Sequence, residues 1–223
     1  MLEIKNIAVY DLKECVIACR NAMRTSMPEY TDEEFEKSLP RAIKLCKASA
    51  ESKDVKCHDN FLTGIRVAFD LKYSQYITKQ FQRYHWFDYI SSSSMMHRLV
   101  MMKVDDNCNK YVPQVMVDEE QKNIDFYKRI QDEKISHWVF TLRTGEKIVC
   151  STVAECLYTQ FMICISGCPM GYELFVRVDT NYKQLQTIYH QRKNHQLKED
   201  WGEFCKFVEN LPYAKELILC EED

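Results

Sequence analysis

An arginine and an asparagine interrupt the apolar stripe of a predicted helix near the carboxyl end of the sequence. The stretch 181–197 has helical periodicity, and its wheel groups five residues on one arc: Asn181, Leu185, Ile188, Arg192 and Gln196. A guanidinium on an apolar face is costly without a partner, so Arg192 is expected to meet a carboxylate or a bound ligand. The alternative is an arginine whose stem lies along the surface with its charged head in water.

A second candidate binding face lies in the stretch 73–87, which is predicted to be helical. One face of that helix would carry aromatic rings, an amide and an arginine: Tyr73, Tyr76, Gln80, Arg83, Tyr84 and Phe87. Such a face suits a planar heterocycle, because rings stack on it and the amide and guanidinium groups form directed hydrogen bonds. The alternative is an aromatic core face with Arg83 at its rim.

The eleven cysteines suggest a reducing compartment. Their number is odd and the first residues lack a signal-peptide pattern, so we expect a cytoplasmic protein whose thiols are mostly buried as small apolar side chains. A zinc site that uses Cys57, His58 and a second pair of ligands is an alternative. No CxxC pair of the kind found in zinc ribbons occurs.

The charge balance and the glycine content exclude several classes of protein. With a net charge of −3, the chain is not a broadly basic nucleic-acid binder, although the basic run 191–195 leaves a local nucleic-acid contact as an alternative. No glycine-rich phosphate loop occurs. No apolar stretch is long enough to span a bilayer, so no membrane partner is expected.

The remaining patterns predict an α+β protein in which helices dominate. A capping-box sequence at 31–34 opens a helix that Pro40 is expected to kink, and the polar segment 47–59 is expected to be a loop. The other predicted elements are strands at 2–10 and 173–178, a hairpin at 138–149, and helices at 11–24, 117–133, 152–165 and 200–211.

Two segments of the sequence resemble the flavin-dependent thymidylate synthases. That family has the signature K-x-P-x-F-x-x-R-Q-x-x-R-H-R-x-x-S-x-N-E-x-S-x-R-Y, and the stretch 72–99 is similar to it. The family's later segment L-P … N-x-R-x-L … L-R-x-x-S-H is matched in order and spacing by five residues: Pro169, Asn181, Leu185, Arg192 and His195. The resemblance covers roughly residues 60–210.

The resemblance implies one domain over residues 1–223 with the thymidylate-synthase-complementing fold. That fold is α+β, rich in helices, with a small antiparallel sheet. The family forms homotetramers whose active sites take residues from several chains. Its members use FAD, a folate-like carbon donor and a uracil nucleotide, so the resemblance implies these small molecules as partners.

The resemblance also implies roles for individual residues on the substrate side. Gln80 matches a glutamine that contacts the nucleotide, and Ser93 matches a serine near the reacting pyrimidine carbon. Arg192 matches the arginine that polarises the uracil ring, where it would stabilise negative charge developing on the base. Ser93 and Arg192 are therefore the catalytic candidates, and both also belong to the predicted substrate site.

Three further residues match positions that contact the flavin in that family. Arg83 matches the first arginine of the R-H-R triplet, and Asn181 matches a flavin-contacting asparagine. Lys183 stands where the family has an arginine, which keeps the positive charge but loses the planar fork.

The sequence departs from the family pattern at five positions. Tyr84 and His85 replace the histidine and the last arginine of the triplet, and Ser91 replaces a glutamate. Met95 and Ile165 replace two arginines that bind the nucleotide phosphate. Each lost charge-assisted hydrogen bond is worth about 1.5–3 kcal/mol, so a uracil nucleotide is expected to bind differently here.

Two functional hypotheses follow from these matches and departures. In the first, the chain is a divergent flavin-dependent thymidylate synthase that transfers a methylene group and hydride to a uracil nucleotide, and so acts as a methyltransferase. In the second, the fold is kept but catalysis is altered or lost, which leaves a nucleotide-binding or regulatory protein. If Gln80 is an amide at the rim of a pocket, Gln80→Ala should weaken nucleotide affinity with little thermal penalty.

Overall fold

The structure is a computed structural model that describes residues 2–51 and 58–220. The strands are β1 (Glu3–Tyr10), β2 (Arg66–Ser74), β3 (Phe87–Ser92), β4 (Trp138–Thr141), β5 (Lys147–Cys150) and β6 (Glu173–Asn181). The α-helices are α1 (Leu12–Ala18), α2 (Asp32–Glu51), α3 (Thr78–Phe81), α4 (Met95–Arg98), α5 (Gln114–Glu133), α6 (Val153–Gly167), α7 (Tyr182–Arg192) and α8 (Lys198–Glu209). The predicted α+β class, rich in helices with small antiparallel sheets, is confirmed.

The chain divides into two compact units. The first comprises Ser74–Ile77 and Ser93–Leu174, and the second comprises Leu2–Tyr73, Thr78–Ser92 and Phe175–Asp223. The second unit holds a sheet with strand order β1-β2-β6-β3, in which β1 pairs antiparallel with β2, and β3 pairs antiparallel with β6. The first unit holds the two-stranded sheet of β4 and β5.

In the first unit the structure confirms the hairpin and both long helices. Thr152 and Glu155 form a reciprocal capping box at the start of α6, as Ser and Thr side chains often do at that position. Helix α5 buries Ile124 and Ile130 on its inner stripe. Two apolar clusters build the core of this unit, and one of them includes Leu99, Ile124 and Tyr172.

The predicted helix over 73–87 is wrong for most of its length. Its first two residues end strand β2, in which buried Val67, Phe69, Leu71 and Tyr73 alternate with half-buried residues. This period of two was present in the sequence, but the helical spacing of the later aromatic residues obscured it. Between β2 and β3 the helical part is a 3-10 turn at Gln75–Ile77 followed by the single turn of α3.

Several predicted boundaries also move. Helix α2 runs through Pro40 to Glu51, so the predicted loop at 47–59 is wrong for residues 47–51, while residues 52–57 lie outside the described part. Thr31 opens this helix, and its hydroxyl accepts a hydrogen bond from the backbone N–H of Glu34 at 3.2 Å. Helix α7 ends at Arg192, not at Leu197.

The sheet of the second unit is covered by an aromatic cluster. The Phe81 and Phe87 rings stack with centroids 4.9 Å apart, and the Trp201 ring lies 4.8 Å from Phe81. Phe204, one turn along α8, packs against Trp201 at 5.6 Å. Packing in this cluster holds the first turns of α8 against the sheet and buries the Trp201 indole completely.

The prediction that most thiols are small buried side chains holds for half of the described cysteines: five of the ten are buried and five are half-buried. Every described cysteine is a free thiol. Burial raises the pKa of several of them, for example to about 11 for Cys205 and about 12 for Cys164, so they are poor nucleophiles at neutral pH. The buried ones are Cys46, Cys150, Cys156, Cys164 and Cys205.

Within the described ranges, no helix has both the length and the apolar character needed to cross a bilayer.

Candidate functional site

Helix α7 positions most of the candidate site, and its start is set by Asn181. The Asn181 side-chain oxygen accepts a hydrogen bond from the backbone N–H of Gln184 at 2.9 Å, which makes Asn181 the N-cap of the helix. Leu185 and Ile188, on the apolar face of α7, are both fully buried. This anchoring places Arg192 in the last turn, where the helix dipole favours a cation.

The Arg192 guanidinium is held by two aromatic side chains. Its Nε donates a hydrogen bond to the Tyr84 hydroxyl at 2.7 Å. The guanidinium carbon lies 4.6 Å from the centre of the Trp201 ring and 5.6 Å from that of Tyr84. Arg192 is half-buried, so it is neither buried in the core nor extended into solvent. Within the described residues an aromatic pair, and not the carboxylate that was one of the two expected partners, therefore meets Arg192.

A cavity of about 480 Å³ lies beside this arginine, within the second unit. Two arginines, a histidine, two amides and two hydroxyl groups line it, and no carboxylate does. Such a lining suits an anionic or oxygen-rich ligand, because guanidinium and amide groups supply directed donors. The lining residues are Arg83, Tyr84, His85, Gln184, Thr187, Gln191 and Arg192.

The structure brings Arg83 and Arg192 together at this cavity within one chain, which the sequence did not predict. Arg83 is exposed, in the turn between α3 and β3. Gln184 is mostly buried, and its side-chain oxygen accepts a hydrogen bond from the backbone N–H of Trp86 at 3.3 Å. This bond ties the turn that carries Arg83 to helix α7.

Gln80 contacts the site through Trp201. Its side-chain oxygen accepts a hydrogen bond from the Trp201 indole N–H at 3.0 Å, and Gln80 is half-buried. The expectation that Gln80 is a rim amide with little role in stability is therefore wrong. The predicted contact between Gln80 and a nucleotide stays a prediction.

Replacing Gln80 is expected to destabilise the chain, contrary to the sequence-based expectation. Gln80→Ala leaves the fully buried Trp201 N–H without its acceptor, and an unsatisfied buried donor costs about 1–3 kcal/mol. Chemical denaturation should show this loss, whereas Gln82→Ala, at an exposed neighbouring position, should leave the unfolding midpoint unchanged. Equal stability of the two variants would contradict the assigned bond.

Lys183 lies in the first turn of α7, and its ammonium group is bound by other side chains of the protein. Its ammonium group forms a salt bridge with Asp59, whose side chain is fully buried, and donates a hydrogen bond to the Gln186 side-chain oxygen at 3.0 Å. Asn181 and Lys183 thus both have structural partners. Their predicted flavin contacts stay predictions.

Ser93 belongs to the first unit. It follows β3 in the chain, precedes the short helix α4 and is half-buried. Its predicted place near a reacting pyrimidine carbon stays a prediction. The zinc alternative includes Cys57, which lies outside the described residues, and no group of three or more His, Cys, Asp or Glu side chains in residues 2–51 and 58–220 could hold a metal ion.

Sequence reasoning missed Trp201 and Asp59. Trp201 sits on the apolar face of α8 and reads as an ordinary core residue, although its indole contacts both Gln80 and Arg192. Asp59 reads as part of a polar loop, yet it is fully buried beside Lys183. Burial and the nearby charge of Arg192 lower the pKa of His195, which packs edge-on against Trp201.

Comparison with solved structures shows which fold this is. The chain is similar to the flavin-dependent thymidylate synthase ThyX from Helicobacter pylori complexed with FAD and dUMP, with a TM-score of 0.63, 14% identity and 99% of each chain covered. A second ThyX structure from Helicobacter pylori, with FAD and dUMP, gives a TM-score of 0.59 at 14% identity, with 100% of both chains covered. The chain therefore has a ThyX-like fold along its whole length. At this identity the likeness shows the fold alone.

No protein-family model matches the sequence, and no curated protein sequence matches it.

Proposed function

We propose that this chain binds FAD and a uracil nucleotide and transfers a methylene group and hydride to the base, as a divergent flavin-dependent thymidylate synthase. The observation that carries the proposal is the cationic cavity beside Arg192, found in a chain whose fold matches ThyX over its full length. Both ThyX structures hold FAD and dUMP. A folate-like donor would supply the carbon, and we propose a cytoplasmic homotetramer as the working form.

The donor set at the cavity fits the polar groups of a flavin nucleotide. Arg83 offers an exposed guanidinium to a phosphate or a ring carbonyl, and the amides of Gln184 and Gln191 lie beside it. No carboxylate in the lining would repel a phosphate. When bound, FAD would supply the hydride, a reaction that needs no nucleophile from the protein.

Arg192 is the residue that would act on the acceptor base. Its terminal guanidinium nitrogens make no hydrogen bond to any described residue, while its Nε is held by Tyr84. A fixed cation beside a uracil carbonyl would stabilise the negative charge that develops on the ring during transfer. Gln80 would support this arrangement through Trp201, and Ser93 is proposed to orient the acceptor.

One observation favours the second hypothesis, a nucleotide-binding protein with altered or lost catalysis. Met95 and Ile165, which stand where the related family has phosphate-binding arginines, are both partly buried against one apolar cluster of the first unit. Neither position can therefore hold a phosphate. A nucleotide held only by the remaining contacts would bind more weakly, or in a pose unsuited to transfer.

The purified chain should take up FAD and show a flavin absorbance band in the visible region. Incubation with dUMP, methylenetetrahydrofolate and a reductant should then yield the methylated nucleotide if the first hypothesis holds. A flavin-bound protein without turnover would support the second hypothesis. A colourless protein that fails to take up added FAD would contradict the flavoenzyme proposal.

A further inference from the structure

The side chain that holds Arg192 is itself held in place. Tyr84 is 8% exposed, and its hydroxyl donates a hydrogen bond to the Gln191 side-chain oxygen at 3.2 Å while accepting one from Arg192. A hydroxyl that donates in one direction and accepts in another has a fixed orientation. The acceptor lone pair that meets Arg192 Nε is therefore fixed as well.

The guanidinium also lies over a second rigid ring. Trp201 is fully buried, and its N–H is bonded to Gln80. The Arg192 guanidinium lies 4.6 Å from the centre of this ring, within cation–π range. Tyr84 holds the Nε edge of the guanidinium, and Trp201 packs against its flat face. Only the edge formed by the two terminal nitrogens is therefore left to bind a ligand.

We propose that Tyr84 is a positioning residue for Arg192, and that the pair selects ligands with two adjacent acceptor atoms. Suitable groups are a phosphate or a carboxylate, since the terminal edge of a guanidinium binds such groups bidentately. The identity of the natural ligand rests on the proposed function, whereas the positioning role rests on the contacts of Tyr84.

The position that Tyr84 occupies in the sequence also bears on its role. Tyr84 occupies the histidine position of the family's triplet, between Arg83 and His85, which are both exposed at the cavity. In this chain the Tyr84 side chain turns inward to Arg192. The tyrosine at this position therefore provides a hydroxyl group that holds the guanidinium, which a side chain directed at a flavin would not do.

A double-mutant cycle tests the positioning role. Pyrophosphate and dUMP are the probes, titrated by calorimetry into the full chain and into three variants: Tyr84→Phe, Arg192→Ala and the double variant. Tyr84→Phe keeps the ring and removes the hydroxyl, so affinity for both probes should fall about tenfold. In the Arg192→Ala background the same change should have no further effect, because Tyr84 acts through Arg192.

A second tyrosine of the second unit provides the matched control. Tyr189 is 6% exposed on α7, and its hydroxyl is bonded to Glu209 at 3.0 Å, away from the cavity lining. Tyr189→Phe should leave the affinity for both probes unchanged. An equal loss of affinity for Tyr84→Phe in both backgrounds, or the same loss for Tyr189→Phe, would overturn the positioning role.

Nitrogen-15 NMR of the arginine Nε–H groups gives a readout that needs no ligand. The Arg192 signal, identified by its absence in Arg192→Ala, should exchange slowly with solvent in the wild type and quickly in Tyr84→Phe. An unchanged signal in Tyr84→Phe would overturn the proposal, as would the absence of any Arg192-dependent binding of either probe. If pyrophosphate binds with the expected coupling between Tyr84 and Arg192 while neither dUMP nor FAD binds, that result would support the positioning role and contradict the proposed function.

Discussion

Arg192→Ala is expected to lower the affinity for dUMP about 10- to 100-fold and to abolish turnover, because the loss of a charge-assisted hydrogen bond costs about 1.5–3 kcal/mol. Stability should change little by comparison. The guanidinium is half-buried, and its cation–π contact with Trp201 contributes about 0.5–2 kcal/mol. Calorimetric titration and thermal unfolding of the same preparation separate the two effects.

The neighbouring residue Lys193 supplies the control for Arg192→Ala. Lys193→Ala removes the same charge from the same end of α7, but Lys193 is exposed and is not part of the cavity lining. Its affinity for dUMP should match that of the wild type, apart from a small effect that salt screens. If both variants lose the same affinity for dUMP, the positive charge at this end of α7 attracts the nucleotide, and not a specific site at Arg192.

Lys183→Met should produce the largest loss of stability, with a fall of about 3–5 kcal/mol in the free energy of unfolding. The Asp59 carboxylate is fully buried, and one of its oxygens has no hydrogen-bond partner among the described residues even in the wild type. Removing the ammonium group of Lys183 would leave this buried charge uncompensated. Denaturant titration monitored by circular dichroism measures the change.

A paired substitution distinguishes an ion-pair effect from simple loss of packing. Asp59→Asn combined with Lys183→Met removes both charges and should recover most of the lost stability. Lys37→Ala, which breaks an exposed salt bridge with Glu33, serves as the surface control and should have no measurable effect. A Lys183→Met variant as stable as Lys37→Ala would contradict the buried pair. FAD uptake by the stable double variant would then test whether Lys183 also contacts a flavin.

Helix starts that depend on residues a few positions apart can be predicted from the sequence. The Thr31 hydroxyl accepts the predicted hydrogen bond from the backbone N–H of Glu34. The equivalent bond from Glu155 to Thr152 was not predicted. Asn181 was assigned to the apolar arc of a helix, but an asparagine that precedes a helical run is a preferred N-cap, and this signal was available. The strand β2 was missed because its alternation competes with the helical spacing of aromatic residues that follow it.

The composition of the site could be predicted only in part, because its contacts join distant parts of the chain. Arg192 and Tyr84 are 108 positions apart, and Trp201 and Gln80 are 121 apart. The helical wheel identified Arg192 as an arginine in need of a partner, but no periodicity could show that a tyrosine and a tryptophan provide it. The burial of Asp59 beside Lys183, 124 positions away, is of the same kind.

Crystals of the chain grown with FAD and dUMP provide the most direct test of the cavity as the ligand site. We expect electron density for the nucleotide base in the cavity lined by Arg83 and Arg192, with acceptor atoms within hydrogen-bond distance of the terminal nitrogens of Arg192. Density for both ligands at another place on the chain, with the guanidinium still resting on Tyr84 and Trp201 and no ligand atom near it, would contradict the account.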